Sequence, residues 1–212
     1  MQFEKAIQAF SGQPITQQIL MHLLKEYRWP HNKIRQLVKQ GYLTHIKREL
    51  YITGPELNLP QPSNYLLANH IYGPSYVSLE AALSYRGLIP EKVSGITSVT
   101  TGATKTFRTT IGRFNYVHAS LPYYSFGIGQ VIIDEKQTVL MASKEKALCD
   151  KIVMTAGMLL RSMEQTMSLL TDDLRIELQT LRELDISSIR SWISDAPKKQ
   201  SLTILVKTLE RL

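Results

Sequence analysis

Apolar positions in the first quarter of the chain recur at helical spacing and then alternate as they do in strands. The spacing predicts an amphipathic helix over 14–26 and a second helix over 30–40. Residues 42–52 alternate in the manner of two short strands with a tight connection around 47–49. Two helices followed by a hairpin are typical of a winged helix-turn-helix, and we predict this DNA-binding fold for residues 1–54.

The rest of the chain changes from strand patterns to helical ones. After a proline-rich linker at 55–63, residues 64–142 begin with a helical segment and continue with strands rich in Thr, Val, Ile and Tyr, which predict an antiparallel sheet. Residues 143–212 are predicted to be helical, with Ser143 capping the first helix. The expected fold is therefore α+β, an N-terminal winged helix-turn-helix followed by a mixed antiparallel-sheet and helical domain over 64–212. Its later helices are predicted at 160–170, 172–184, 187–194 and 199–211.

Composition and charge exclude several classes of protein. Of 212 residues, 43% are hydrophobic and 20% are charged, a composition that excludes a disordered chain. No apolar run reaches the roughly 18 residues that a membrane helix needs, and the N-terminus lacks the apolar stretch of a signal peptide. We therefore expect a cytoplasmic protein without a membrane partner.

The net charge of +7 is unevenly distributed. Residues 1–130 hold the whole excess, since residues 131–212 carry twelve basic and twelve acidic side chains. Within 25–48, seven lysines and arginines are offset by Glu26 alone. Such a segment attracts polyanions, nucleic acid above all. A solvated basic face with no partner is the alternative interpretation.

The predicted second helix carries side chains suited to reading DNA. Ile34, Leu37 and Val38 are expected to face the core, which leaves the polar positions towards solvent or DNA. Asn, Arg and Gln can make two hydrogen bonds to a base edge, whereas Lys is better suited to phosphates. The candidate DNA-binding residues are His31, Asn32, Lys33, Arg35, Gln36, Lys39 and Gln40 on the helix, and Lys47 and Arg48 at the tip of the hairpin.

The sequence lacks the motifs of common catalytic and metal sites. It contains neither a phosphate-binding loop nor a G-x-S-x-G nucleophile elbow, and its five histidines include no i,i+4 pair. The single cysteine, Cys149, excludes an intrachain disulfide and a thiolate zinc site. Its apolar neighbours favour a buried small residue over a reactive thiol, with Asp150 and Lys151 exposed beside it. We expect no enzyme, no metal and no cofactor.

One alternative site stays open in the threonine-rich stretch 97–110. Lys105, Arg108 and the nearby Arg113 could supply additional phosphate contacts, or, if the protein is an enzyme, a nucleotide site. Threonine-rich sheet faces are common without any such role.

Several segments resemble one known family. They are PSYVSLEAALSYRGLIPE (74–91), ITSVTTG (96–102), FNYVHA (114–119) and MASKEKALCDKI (141–152). They are similar to the AbiEi family of abortive-infection proteins, and the resemblance covers about 14–155. LVKQGYLTHIKRELYI (37–52) also resembles the end of that family's recognition helix and its wing, except that Glu49 stands where glycine is common.

The resemblance implies a function in phage defence. AbiEi-like proteins are transcriptional regulators and antitoxins of type IV toxin–antitoxin systems. Their winged helix binds inverted repeats in its own promoter, and their C-terminal region counters a nucleotidyltransferase toxin encoded next door, without a stable complex. We therefore expect a DNA-binding autorepressor and antitoxin. A module that binds and neutralises the toxin directly, and a solitary transcriptional regulator, are the alternatives. The resemblance names no antitoxin residues and assigns no role to 156–212.

Overall fold

The described part of the chain, residues 2–212 of a computed structural model, has the expected α+β fold, with ten α-helices and two sheets. The helices are α1 (Gln2–Gln8), α2 (Gln17–Leu23), α3 (Pro30–Lys39), α4 (Asn64–Ile71), α5 (Leu79–Tyr85), α6 (Lys144–Met154), α7 (Met163–Ser168), α8 (Leu178–Arg182), α9 (Ile186–Trp192) and α10 (Lys199–Leu209). The strands are β1 (Ile15–Thr16), β2 (Leu43–Lys47), β3 (Leu50–Thr53), β4 (Ser75–Val77), β5 (Ile96–Thr100), β6 (Lys105–Thr109), β7 (Gly112–His118), β8 (Ile128–Asp134) and β9 (Gln137–Ala142).

The first sheet has the strand order β1-β3-β2. Strands β2 and β3 are the predicted hairpin, paired antiparallel, and β1 adds to the other edge of β3. The helix predicted over 14–26 is therefore wrong at both ends. Pro14 and β-branched Ile15 are better suited to an extended strand than to a first helical turn. Helix α2 begins only after Thr16, whose hydroxyl caps it by accepting from the Ile19 amide.

Helix α3 lies where the second helix was predicted. It has proline in its first turn, and Gly41, just beyond its end, adopts a φ of +77°. Glycine reaches this left-handed conformation without the steric cost that a side chain adds. Ile34 and Leu37 are buried, and Val38 is half-buried against the same cluster.

The second sheet has the strand order β6-β7-β5-β4-β9-β8. The expected antiparallel sheet is wrong at two junctions, because β5 pairs parallel to β7 and β4 pairs parallel to β9. The chain leaves β5, forms the edge strand β6 and returns through the hairpin as β7, which must then run in the direction of β5. Residue alternation predicts strands but carries no information on their direction.

Helices cover both faces of the second sheet. Tyr116 of β7 donates a hydrogen bond to the Ala68 carbonyl of α4, whereas Tyr76 of β4 points to the other face and bonds Asp150 of α6. Helix α6 begins at the predicted cap, where Ser143 Oγ accepts from the Lys146 amide at 3.1 Å. The later helices are shorter than predicted.

The hydrophobic core consists of two clusters. The first comprises Phe3, Ile7, Ile15, Leu20, Leu24, Ile34, Leu37 and Leu43. The second extends from Ile46 to Leu209 and includes the two sheet faces and the C-terminal helices. The β2–β3 hairpin contributes Leu43 to the first cluster and Ile46, Leu50 and Ile52 to the second, so it packs between them.

The segment 55–63 stays a predicted linker. It contains a short 3₁₀ turn at Pro55–Leu57, and the Ser63 amide donates to Gln137 Oε1 at 2.6 Å. Among the described residues no helix combines the length and the apolar character needed to cross a bilayer.

Candidate nucleic-acid interface

Helix α3 turns its polar side chains away from the first hydrophobic cluster. Buried positions at Ile34 and Leu37 define its inner face, so the positions between them point outwards. The exposed candidates are His31, Asn32, Arg35, Gln36, Lys39 and Gln40, and Lys33 is half-buried. All seven helix residues singled out from the sequence thus lie outside the buried core.

Local contacts orient several of these side chains. Lys33 Nζ donates to Gln36 Oε1 at 3.3 Å and lies 5.3 Å from the ring centroid of Tyr27. The Gln36 amide nitrogen therefore stays available to donate to a ligand. Burial raises the pKa of the Tyr51 hydroxyl, Glu49 raises it further, and Arg35 lowers it.

The tip of the hairpin presents Arg48 and Glu49. Arg48 has a side chain that is 92% exposed, with Nε 3.4 Å from Glu49 Oε1. Exposed ion pairs of this kind contribute little free energy, so Arg48 is free to exchange the carboxylate for a phosphate. Glu49 adopts a φ of +63°, at the position where the resembling family commonly has glycine.

Lys47 is placed differently from the other hairpin candidate. Its ammonium donates a hydrogen bond to the Ile71 carbonyl at the end of α4, and burial lowers its pKa. This contact holds the hairpin against the second part of the molecule. A contact between Lys47 and DNA stays a prediction.

The three candidates on the β6–β7 hairpin do not share one face. Arg108 lies directly opposite Arg113, whereas Lys105 points to the other face, 5.0 Å from the ring centroid of Phe107 and 5.8 Å from that of Tyr72. A cradle built from all three cations is therefore not formed. Within residues 2–212, neither arginine has a carboxylate within ion-pair distance. The arginine pair alone can serve as an additional phosphate contact.

A buried polar network occupies the interior beside Cys149. Asp150 Oδ2 accepts from Tyr76 at 2.9 Å and from Ser78 at 2.7 Å, and Lys146 Nζ lies 3.1 Å from Asp150 Oδ1. The expectation that Asp150 is exposed is therefore wrong, because α6 turns it towards β4. The i,i+4 spacing of Lys146 and Asp150 was the one sequence signal for this pair.

This network is closed to a substrate. None of its four side chains is accessible to solvent, and burial raises the pKa of the neighbouring Cys149 thiol. Across residues 2–212, no three His, Cys, Asp or Glu side chains come together as a metal site. The exposed polar face of α3 and the tip of the hairpin stay the candidate nucleic-acid interface.

No protein-family model matches the chain, and no curated protein matches it either. The resemblance to AbiEi proteins rests on the segments quoted above, and the functions that it implies are proposals.

Proposed function

We propose that residues 1–54 form a winged helix-turn-helix that binds double-stranded DNA sequence-specifically. Helix α3 would enter the major groove, and the β2–β3 hairpin would lie on the phosphate backbone. The observation that carries this proposal is the exposed face of α3. It presents side chains suited to base edges and side chains suited to phosphates, and the helix contains no carboxylate.

The side chains on that face divide by chemistry. Asn32, Arg35 and Gln36 can each make two hydrogen bonds to a base edge. Lys39, in the last turn, and Arg48, at the hairpin tip, are suited to phosphates. His31, Lys33 and Gln40 flank these positions and complete the proposed surface.

The resemblance to AbiEi proteins extends the proposal to a cytoplasmic regulator of phage defence. We propose that the protein represses its own promoter by binding inverted repeats, and that residues 64–212 act as an antitoxin against a nucleotidyltransferase toxin. The distribution of charge supports different roles for the two parts of this region. Residues 61–130 carry five basic and two acidic side chains, whereas residues 131–212 are neutral overall and better suited to protein contacts.

The experiment is binding of the full chain to the duplex just upstream of its own gene. A duplex of the same composition in shuffled order is the control, and both are titrated between about 50 and 200 mM salt. Selective binding with a steep salt dependence is the expected result. Equal, weak binding to both duplexes would refute sequence-specific binding, and co-purification of the neighbouring toxin would then favour direct neutralisation.

A further inference from the structure

Trp29 is an exposed aromatic residue placed directly before α3. The residue is 64% exposed, whereas Trp192, the other tryptophan of the chain, is buried. The indole belongs to neither hydrophobic cluster, and Trp29 makes no side-chain hydrogen bond to cap the helix. Packing and capping therefore leave its exposure unexplained, and a large exposed apolar surface commonly marks a binding site.

The surroundings of Trp29 are cationic and aromatic. The guanidinium carbon of Arg28 lies 5.4 Å from the indole centroid. Tyr27 is 44% exposed, and Lys33 Nζ lies 5.3 Å from its ring centroid. An aromatic surface framed by cations fits a polyanion with apolar features better than it fits an uncharged protein surface.

The position of the indole decides which part of DNA it could meet. The Trp29 carbonyl accepts from the Lys33 amide, so Trp29 is continuous with the first turn of α3. In the proposed docking, the first turn of the recognition helix is the part nearest the base edges. Those edges present one apolar group in the major groove, the 5-methyl of thymine, and aromatic side chains contact it.

We propose that Trp29 is a specificity-determining residue that selects thymine at one position of the DNA site by apolar contact with its 5-methyl group. This inference rests on the proposed DNA-binding function. The inference adds a base contact by a residue that precedes α3 and is not among the polar DNA-binding candidates. Arg28 and Lys33 would neutralise the phosphates on either side of that base.

The test replaces thymine by uracil, which removes the methyl group and leaves the base-pairing edge unchanged. The probe is the duplex that the full wild-type chain enriches from a random-sequence pool, with uracil introduced at one thymine position at a time. We expect one position at which uracil weakens wild-type binding about fourfold, the effect of one buried methyl group. Trp29→Ala should bind the thymine and uracil duplexes equally at that position.

Two further variants make the result specific. Leu178→Ala removes an exposed apolar side chain on α8 and should keep the thymine preference. Trp29→Phe leaves Trp192 as the one tryptophan of the chain, so the difference in emission between wild type and this variant comes from Trp29. This difference should change when the duplex binds. Because Trp29 is exposed and outside both clusters, its replacement should leave the melting temperature unchanged.

The outcomes separate the two proposals. Failure to enrich any duplex would refute the DNA-binding function and this inference with it. An enriched duplex that tolerates uracil at every position, or a thymine preference that Trp29→Ala retains, would refute this inference alone. Tighter binding of wild type to the single strand than to the duplex would overturn it as well, since it would indicate stacking on unpaired bases.

Discussion

Lys146 Nζ lies 3.1 Å from Asp150 Oδ1 in the protein interior, and neither side chain is exposed. Tyr76 and Ser78 donate to the other carboxylate oxygen. These four residues come from two of the segments that resemble AbiEi proteins, 74–91 and 141–152, which are far apart in the chain. Both charges lie on α6, and the hydrogen bonds from Tyr76 and Ser78 join this helix to β4 and to the residue that follows it.

Breaking this pair should destabilise the protein strongly. Lys146→Met leaves the Asp150 carboxylate buried without its cation, and we expect a loss of about 3–5 kcal/mol in the free energy of unfolding. Urea unfolding followed by circular dichroism measures the change. Lys144→Met, on the surface of the same helix, is the control and should cost at most about 1 kcal/mol. A loss below about 1 kcal/mol for Lys146→Met would contradict a structural role for the pair.

Lys39→Ala tests the phosphate contact proposed for the last turn of α3. It should weaken binding to operator and shuffled duplexes alike and lower the slope of log K against log salt by about one. Titrations at several salt concentrations measure that slope. Lys207→Ala removes the same charge from an exposed position in the last turn of α10 and should leave the slope unchanged. A loss confined to the operator would assign Lys39 to base recognition instead.

Arg35→Ala tests base recognition. If the guanidinium reaches a base edge, its removal should reduce the preference for operator over shuffled DNA by about 1–3 kcal/mol. Competition titrations against the shuffled duplex report this preference directly. Unchanged discrimination would exclude Arg35 from the base-reading residues and leave Asn32 and Gln36 to carry that role.

The lowered pKa of the Asp185 carboxyl predicts that the stability of the protein depends on pH. Asp185 caps α9, and hydrogen bonds from the Ser187 and Ser188 hydroxyls and from the Ser188 amide hold the pKa of its carboxyl at about 2, below the ordinary 3.8. Because the folded state depresses this pKa, the stabilisation is present above the ordinary value and is lost as the pH falls towards 2. Asp185→Asn should therefore be less stable than wild type at pH 6 and equally stable near pH 2, by thermal unfolding. A stability difference that does not change with pH would contradict this account.

Sequence patterns predicted the elements that short-range periodicity determines. Helix α3 and the β2–β3 hairpin follow from apolar spacing together with a proline start and a glycine stop. The chemistry of the α3 surface was predictable for the same reason, because buried positions at Ile34 and Leu37 leave the other positions outside.

Sequence patterns did not predict the contacts between residues that are distant in the chain. Ile15 matches a helical pattern but pairs with Tyr51 of β3. The parallel pairing of β4 with β9 joins strands more than sixty residues apart. The burial of Asp150 likewise depends on β4, and the hydrogen bond that draws Lys47 to Ile71 depends on α4. Each outcome was decided by a partner distant in the chain, which local periodicity does not report.

Glu49 links the stability of the hairpin to its proposed DNA contact. Its φ of +63° places a side chain in the left-handed region, which costs about 1–2 kcal/mol relative to glycine. Its carboxylate also lies 3.4 Å from Arg48 Nε, beside the proposed phosphate path. Glu49→Gly should therefore raise the free energy of unfolding by about 1 kcal/mol and tighten DNA binding by up to about fivefold.

Glu49→Gln separates these two effects. It removes the negative charge but keeps a side chain on the left-handed backbone, so it should tighten DNA binding without the gain in stability. Urea unfolding and anisotropy titration at one salt concentration measure both quantities for both variants. A Glu49→Gly variant that is no more stable than wild type would contradict the proposed backbone strain at this position. If neither variant binds DNA more tightly, the tip of the hairpin lies away from the phosphates, and α3 alone would form the interface.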